Sequence, residues 1–321
     1  MNIKIPSYSI TISSDETILI NVGSRVSIFC INETSLDVIN HFRALKNPSR
    51  AILSTNKEIT AYNNTLGHIA VHDVKKGNII LKSKCLSKEG YGIYFSNNDK
   101  LIISSEWFGS VFGLEIASGM TNILNSFPLS NSTNLVPITD KDFIVLGSTL
   151  TGETSAYQFS IGENMDTDVQ LFFSHSYRLQ SNIFACCEDE IIFYGEHINN
   201  SSNEWLTDNI AENSLFLYNT VTKKFCMFIN IQQLLGITGS LHLDYGYITC
   251  MCASKNKQYI LVGYSKSILI IDWINKKHIG TVKVKYLSSL HFIKNDTVVV
   301  VGTWNNVRFI EFGELCKLDK I

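Results

Sequence analysis

Only four prolines, Pro6, Pro48, Pro128 and Pro137, occur in 321 residues, and no Ser/Gly-rich or charge-rich stretch separates two halves. A chain of this length carries a prior of two domains, but closed all-β folds often run past the usual size. Without a linker, the reading is a single domain over residues 1–321. No apolar run reaches membrane-spanning length, and Met1-Asn2-Ile3-Lys4-Ile5-Pro6 lacks the apolar core of a secretory signal. A soluble, cytoplasmic protein with no membrane partner is therefore expected. Basic excess is missing too. The formal net charge of −2 provides no overall footprint for a polyanion, which argues against nucleic acid as the main partner.

Catalytic signatures are also lacking. The chain has no GxSxG nucleophile elbow, P-loop or HExxH. His68 and His72 lie four apart but straddle a turn and a strand rather than one helix face. Lone acids such as Asp73 and Asp244 are read as structural hydrogen-bonding groups. No catalytic residue, metal site or cofactor is expected. Helical periodicity is nearly absent, and Ile231-Gln232-Gln233-Leu234-Leu235 is the one plausible helical turn.

Eight cysteines stand at 30, 85, 186, 187, 226, 250, 252 and 316, most of them inside apolar strand-like runs such as Ile248-Thr249-Cys250-Met251-Cys252. There cysteine behaves as a small hydrophobe, and a reducing compartment is the simplest reading. The vicinal pair and the CxC pair lack the second pair and histidines of a zinc site.

What the chain does have is apolar content, 45% against 17% charged residues, enough for a large core. It also has a repeat. A polar turn followed by an apolar strand recurs at Ser14-Asp15-Glu16-Thr17-Ile18, Asn56-Lys57-Glu58-Ile59, Asn98-Asp99-Lys100-Leu101 and Asp140-Lys141-Asp142-Phe143. Three more copies follow at Glu188-Asp189-Glu190-Ile191, Asn256-Lys257-Gln258-Tyr259 and Asn295-Asp296-Thr297-Val298. Asn, Asp and Lys suit a tight hairpin, and the β-branched and aromatic residues after them suit a buried strand. Second strands are expected to start at Val26, Ile69, Val111, Ser155, Leu215, Ile268 and Val307, at spacings of 43, 42, 44, 60, 53 and 39 residues. One such unit of about four strands cannot bury both its faces, so the units must pack on one another as propeller blades.

The expected fold is thus all-β, a single seven-bladed β-propeller with strands a to d in each blade. The polar turn joins a to b. The last repeat lacks an outer strand, which either Ile3–Ile5 from the N-terminus or Leu315–Leu318 supplies. Pairing of the N- and C-terminal strands is favoured because it removes an exposed edge. In period and strand order the chain resembles WD40-like propeller repeats over nearly its whole length. Ile271-Asp272-Trp273 carries the Trp-Asp pair in reverse order, Val71-His72-Asp73 has the acid alone, and Gly67-His68 precedes strand c rather than strand a. The resemblance implies the fold and carries no function over.

The two long spacings locate two insertions: about 196–213, between strands b and c of blade 5, and about 230–246, between blades 5 and 6. Strand parity brings both out on the same edge of their blades, and long loops on a rigid scaffold often carry function. From Leu179 to Ser254 there are eight acids against two lysines, whereas residues 255–321 hold eleven Lys or Arg against five acids. The acidic stretch is read either as solvated surface or as a site for a basic protein. Tryptophans strengthen the second reading. Trp107 and Trp304 stand at b–c turns and Trp205 inside the first insertion, as binding anchors or as packing groups.

The leading functional expectation is a noncatalytic interaction scaffold or inhibitory binding protein whose partner is another protein or peptide, basic in character. Its candidate contact residues are Glu204, Trp205, Leu206, Asp208, Glu212, His242, Asp244, Tyr245, Trp107 and Trp304. The alternative is a propeller hydrolase or lyase with a polar pocket at the channel mouth. An aromatic patch would favour the first, and clustered, mutually bonded acids and histidines the second.

Overall fold

In the computed structural model the chain folds into seven four-stranded antiparallel sheets, the blades of a seven-bladed β-propeller. The structure describes residues 1–33, 35–84, 92–151, 153–162, 166–175, 177–197, 212–237 and 241–317. Residues 6–174 make one compact unit, and residues 1–5 with 175–321 make another. The first holds blade 1 from Ser9 to Arg43, blade 2 from Pro48 to Lys84, blade 3 from Ile93 to Ser126 and all but the last residue of blade 4, Asn131 to His175. The second holds blades 5, 6 and 7.

Blade 5 consists of Tyr177–Cys187, Glu190–His197, Glu212–Asn219 and Lys224–Asn230 as strands a to d. In blade 6 the strands are Ile248–Ala253, Tyr259–Tyr264, Ser267–Asp272 and Lys277–Lys283. Blade 7 has Leu287–Ile293, Val298–Thr303 and Val307–Glu311, and its fourth strand is Asn2–Ile3. Asn2 pairs with Arg308 and Ile3 with Val307, while Met1 and Phe309 exchange backbone bonds of 3.1 and 2.9 Å. The N-terminal alternative is therefore the one realised, with a shorter strand than Ile3–Ile5. Of the C-terminal candidate, Leu315 instead ends a short helix, Phe312–Leu315, and is fully buried, while Leu318 lies outside the described residues. Removing residues 1–5 should destabilise the chain by roughly 1–3 kcal/mol, from the few backbone bonds lost. It should also cause association through the bared edge of strand c. Melting and light scattering check this, and a truncated chain that matches the parent in both would contradict it.

The repeat read from the turns is a repeat of hydrogen bonds. In all seven blades the last residue of strand c or the one after it donates its backbone N–H to the a–b turn at 2.7–3.1 Å: Ile31 to Thr17, Val74 to Glu58, Ile116 to Lys100, Ile161 to Lys141, Thr220 to Asp189, Trp273 to Gln258 and Phe312 to Thr297. The turn residues Asn97, Asn98, Asp99, Lys294, Asn295 and Asp296 all have positive φ, which Asn and Asp tolerate best. These turns also tie neighbouring blades within each unit. Thr55 N–H donates to Asp99 (2.7 Å), Asn98 N–H to Asp140 (3.2 Å), and Lys255 and Asn256 N–H both to Asp296 (2.9 Å each). Lys57 pairs with Asp15, and Lys257 reaches Glu188, Asp189 and Glu190 at 3.0–3.2 Å. The acidic triplet is thus matched by a lysine of the next blade. That contact lowers the Asp189 carboxyl below its usual range.

The vicinal cysteines separate by strand parity, Cys186 outward and exposed, Cys187 inward and buried. Burial pushes the Cys187 thiol up to about 11.

Candidate functional site

The connection from blade 5 to blade 6 begins with a short helix, Ile231–Leu235, at the segment where the sequence suggested one. The Asn230 side chain caps it by accepting from Gln233 N–H (2.9 Å), and Gly236 ends it in the left-handed region. Ile231 is buried in the core shared by blades 5 and 6, and the Gln232 side chain accepts from Asn213 N–H (2.9 Å). Beneath lies a buried polar chain. The Tyr194 hydroxyl donates to Asn213 (2.6 Å), and the Tyr264 hydroxyl donates to that of Tyr194 (3.4 Å). It fixes the base of the blade 5 insertion to strand b of blade 6. Burial raises the Tyr264 hydroxyl well above its ordinary pKa, so it stays protonated.

A second turn, Leu241–Asp244, delivers Tyr245, Gly246 and Tyr247 to the b–c turn of blade 6. Lys266 N–H donates to Tyr245 O (3.1 Å) and Ser265 N–H to Tyr247 O (2.7 Å). On its other side the same turn meets the connection to blade 7, where Tyr286 N–H donates to Ser265 O (2.8 Å) and Val284 N–H to Lys266 O (2.9 Å). Trp304 N–H then donates to Tyr286 O (3.1 Å). Four loops are thus joined by backbone bonds into one rim. Gly246 is required in it: φ is +85°, and a Cβ there would collide with the Ser265 hydroxyl.

This rim borders an open cleft of about 760 Å³. Asp244, Tyr245, Ser267, Thr281, Val284 and Tyr286 line it. Lys266, Lys283 and Lys285 also line it, all three exposed. Around it stand aromatic rings open to solvent: Tyr247 is 73% exposed, Trp304 57% and Tyr286 53%. The Trp304 and Tyr286 rings stack at 5.5 Å and 13°. Side chains this apolar are rarely left so open together without a partner.

Of the residues expected from sequence, Asp244, Tyr245 and Trp304 meet at this rim. Glu204, Trp205, Leu206 and Asp208 lie outside the described residues. Glu212 opens strand c of blade 5, opposite His197, and His242 lies in the Leu241–Asp244 turn; their side chains are not among those described. Trp107 belongs to blade 3, in the other unit, where it is half-buried and its carbonyl accepts from the Thr133 hydroxyl (3.2 Å). Lys266, Lys283, Lys285 and Tyr286 were not singled out in advance. His72 is a core group: its ring stacks on Phe42 at 3.9 Å, and burial lowers its pKa. Among the described residues no three His, Cys, Asp or Glu side chains gather as metal ligands, and no helix is long and apolar enough to cross a membrane.

No protein-family model matches the sequence, and no curated protein matches it. Among solved structures the chain is similar to Kuenenia stuttgartiensis hydrazine synthase, at a TM-score of 0.73 and 12% identity over 96% of each chain. At that identity the likeness shows the fold alone.

Proposed function

We propose that this chain is a noncatalytic binding protein that holds another protein or a peptide on the edge carrying the b–c turns and d–a connections of blades 5 to 7. The observation that carries this reading is the group of exposed rings, Tyr247, Tyr286 and Trp304, on a hydrogen-bonded rim around an open cleft. Rigid aromatic groups give large contact area at low entropic cost, which is why they dominate binding hot spots. The blade 5 insertion leaves His197 and returns at Glu212 on this same edge, and Trp205 is proposed as a second anchor. The apolar setting of most cysteines supports action in a reducing compartment.

The test is retention of the partner from the native cell on immobilised protein, titrated against salt. A central Trp anchor contributes about 2 kcal/mol, so Trp304→Ala should weaken binding roughly tenfold or more at any salt. Trp304 is exposed and its ring lies over Tyr286, so the variant should melt as the parent does. Undiminished retention by Trp304→Ala and by Tyr286→Ala, with loss on substitution at the opposite edge, would overturn the reading.

A further inference from the structure

Resting on that reading, we infer that the cleft takes an acidic peptide segment of the partner, with one apolar or aromatic side chain of that segment seated between Tyr245 and the Tyr286–Trp304 stack. Charge gives the first reason. Lys266, Lys283 and Lys285 line the cleft, against the single carboxylate of Asp244. Among the described residues no carboxylate lies within salt-bridge distance of Lys283 or Lys285. This differs from the acidic triplet of blade 5, whose three carboxylates all contact Lys257. Two exposed ammonium groups this close on the sequence, flanking Val284, repel one another and gain from a bridging anion.

The wall gives the second reason. The Ser267 hydroxyl is buried, lines the cleft and has no hydrogen-bond partner, so it can donate to a carboxylate oxygen or a peptide carbonyl. Size gives the third. A cleft of about 760 Å³ holds one or two side chains with their backbone, not a folded surface. A nucleic acid strand would use the same rings and lysines, but a chain with a net charge of −2 lacks the wider basic surface that tracks a phosphate backbone.

The test uses the full chain and fluorescein-labelled peptides of about 12 residues, read by anisotropy at about 50 mM and about 300 mM salt. One peptide is Asp/Glu-rich with a single Phe, one has that Phe replaced by Gly, and one is Lys-rich with the Phe. A single-stranded RNA of equal charge is the fourth probe. The acidic Phe peptide is expected to bind at least about tenfold more tightly than the other three at the lower salt. Lys283→Glu/Lys285→Glu should abolish that preference and gain affinity for the Lys-rich peptide, a reversal that misfolding cannot produce. Lys75→Glu/Lys76→Glu, exposed in the c–d turn of blade 2, should change nothing.

No binding of the acidic peptide, equal binding by the Lys283/Lys285 variant, or preference for the Lys-rich peptide or the RNA would each overturn the inference. If the cellular partner is still lost from Trp304→Ala in any of those cases, the binding face stands and only the chemistry of its occupant is wrong. If it is retained, both fall.

Discussion

Asp296→Ala is expected to lower stability by about 2–4 kcal/mol, more than substitution of any other a–b turn acid. Asp296 is 8% exposed and accepts two backbone N–H groups of blade 6, from Lys255 and Asn256, at 2.9 Å each. Removing the carboxylate takes away the acceptor of both part-buried donors, and part of their desolvation penalty applies. The residue also sits at φ +65°, where alanine adds roughly 1 kcal/mol that asparagine does not. Asp296→Asn, which keeps one acceptor oxygen and tolerates that φ, should therefore cost about half as much. Asp140→Ala is the contrast. Its carboxylate is exposed and accepts one 3.2 Å bond from Asn98, so the loss should stay under about 1 kcal/mol. Urea midpoints of the three variants give the order. Equal shifts for Asp296→Ala and Asp140→Ala would show that the turns do not tie the blades together.

Trp273→Ala should cost more still, about 3–5 kcal/mol. The indole is 7% exposed, belongs to the core shared by blades 5 and 6, and meets Phe228 edge-on at 6.0 Å. Its backbone N–H makes the bond to Gln258 that recurs in every blade, so the main chain is held in place and cannot collapse into the void. A position that cannot relax loses the transfer energy and keeps the cavity. Trp273→Phe should recover most of the loss. The neighbouring Asp272 has a different task. It accepts from Asn275 N–H at 2.8 Å and so caps the c–d turn, as Asp73 does for Lys75 and Lys76 at 2.9 and 2.7 Å. A Trp273→Ala midpoint within error of the parent would refute the packing account.

These two sites show why the fold was readable. Turn chemistry is local: Asn, Asp, Lys or Glu at positive φ marks the a–b hairpin in every blade but the fourth, and the apolar run after each turn marks strand b. Second strands begin within one residue of the expected positions in six blades. In blade 5 the expectation was Leu215, but the strand opens at Glu212 because its ladder with strand b continues through Asn213 to His197. Apolar patterning ends where polar residues begin, although backbone pairing does not. The C-terminal segment was ambiguous for a related reason. Phe312 and Leu315 are three apart, a spacing that puts both on the core as a helical turn, with Phe312 at 4.5 Å from Tyr259.

The site was only partly legible. Strand parity put the two insertions on one edge and brought out Asp244, Tyr245 and Trp304. It did not bring out Lys266, Lys283, Lys285 and Tyr286, because their meeting depends on one b–c turn bonding to the connections on both sides of it. The excess of basic residues after position 255 was the available hint. Local charge counting also missed that Lys257, one blade on, matches the acids at 188–190.

The central claim is that the Tyr247–Tyr286–Trp304 edge is where the partner binds, and site-specific photocrosslinking in the native cell tests it most directly. A benzophenone side chain is placed at position 247 or 286 on that edge, or at position 223 in the c–d turn of blade 5, on the opposite edge. Positions 247 and 286 are predicted to capture the same protein, and position 223 to capture none. Capture from position 223 alone would contradict the claim and move the site to the other edge.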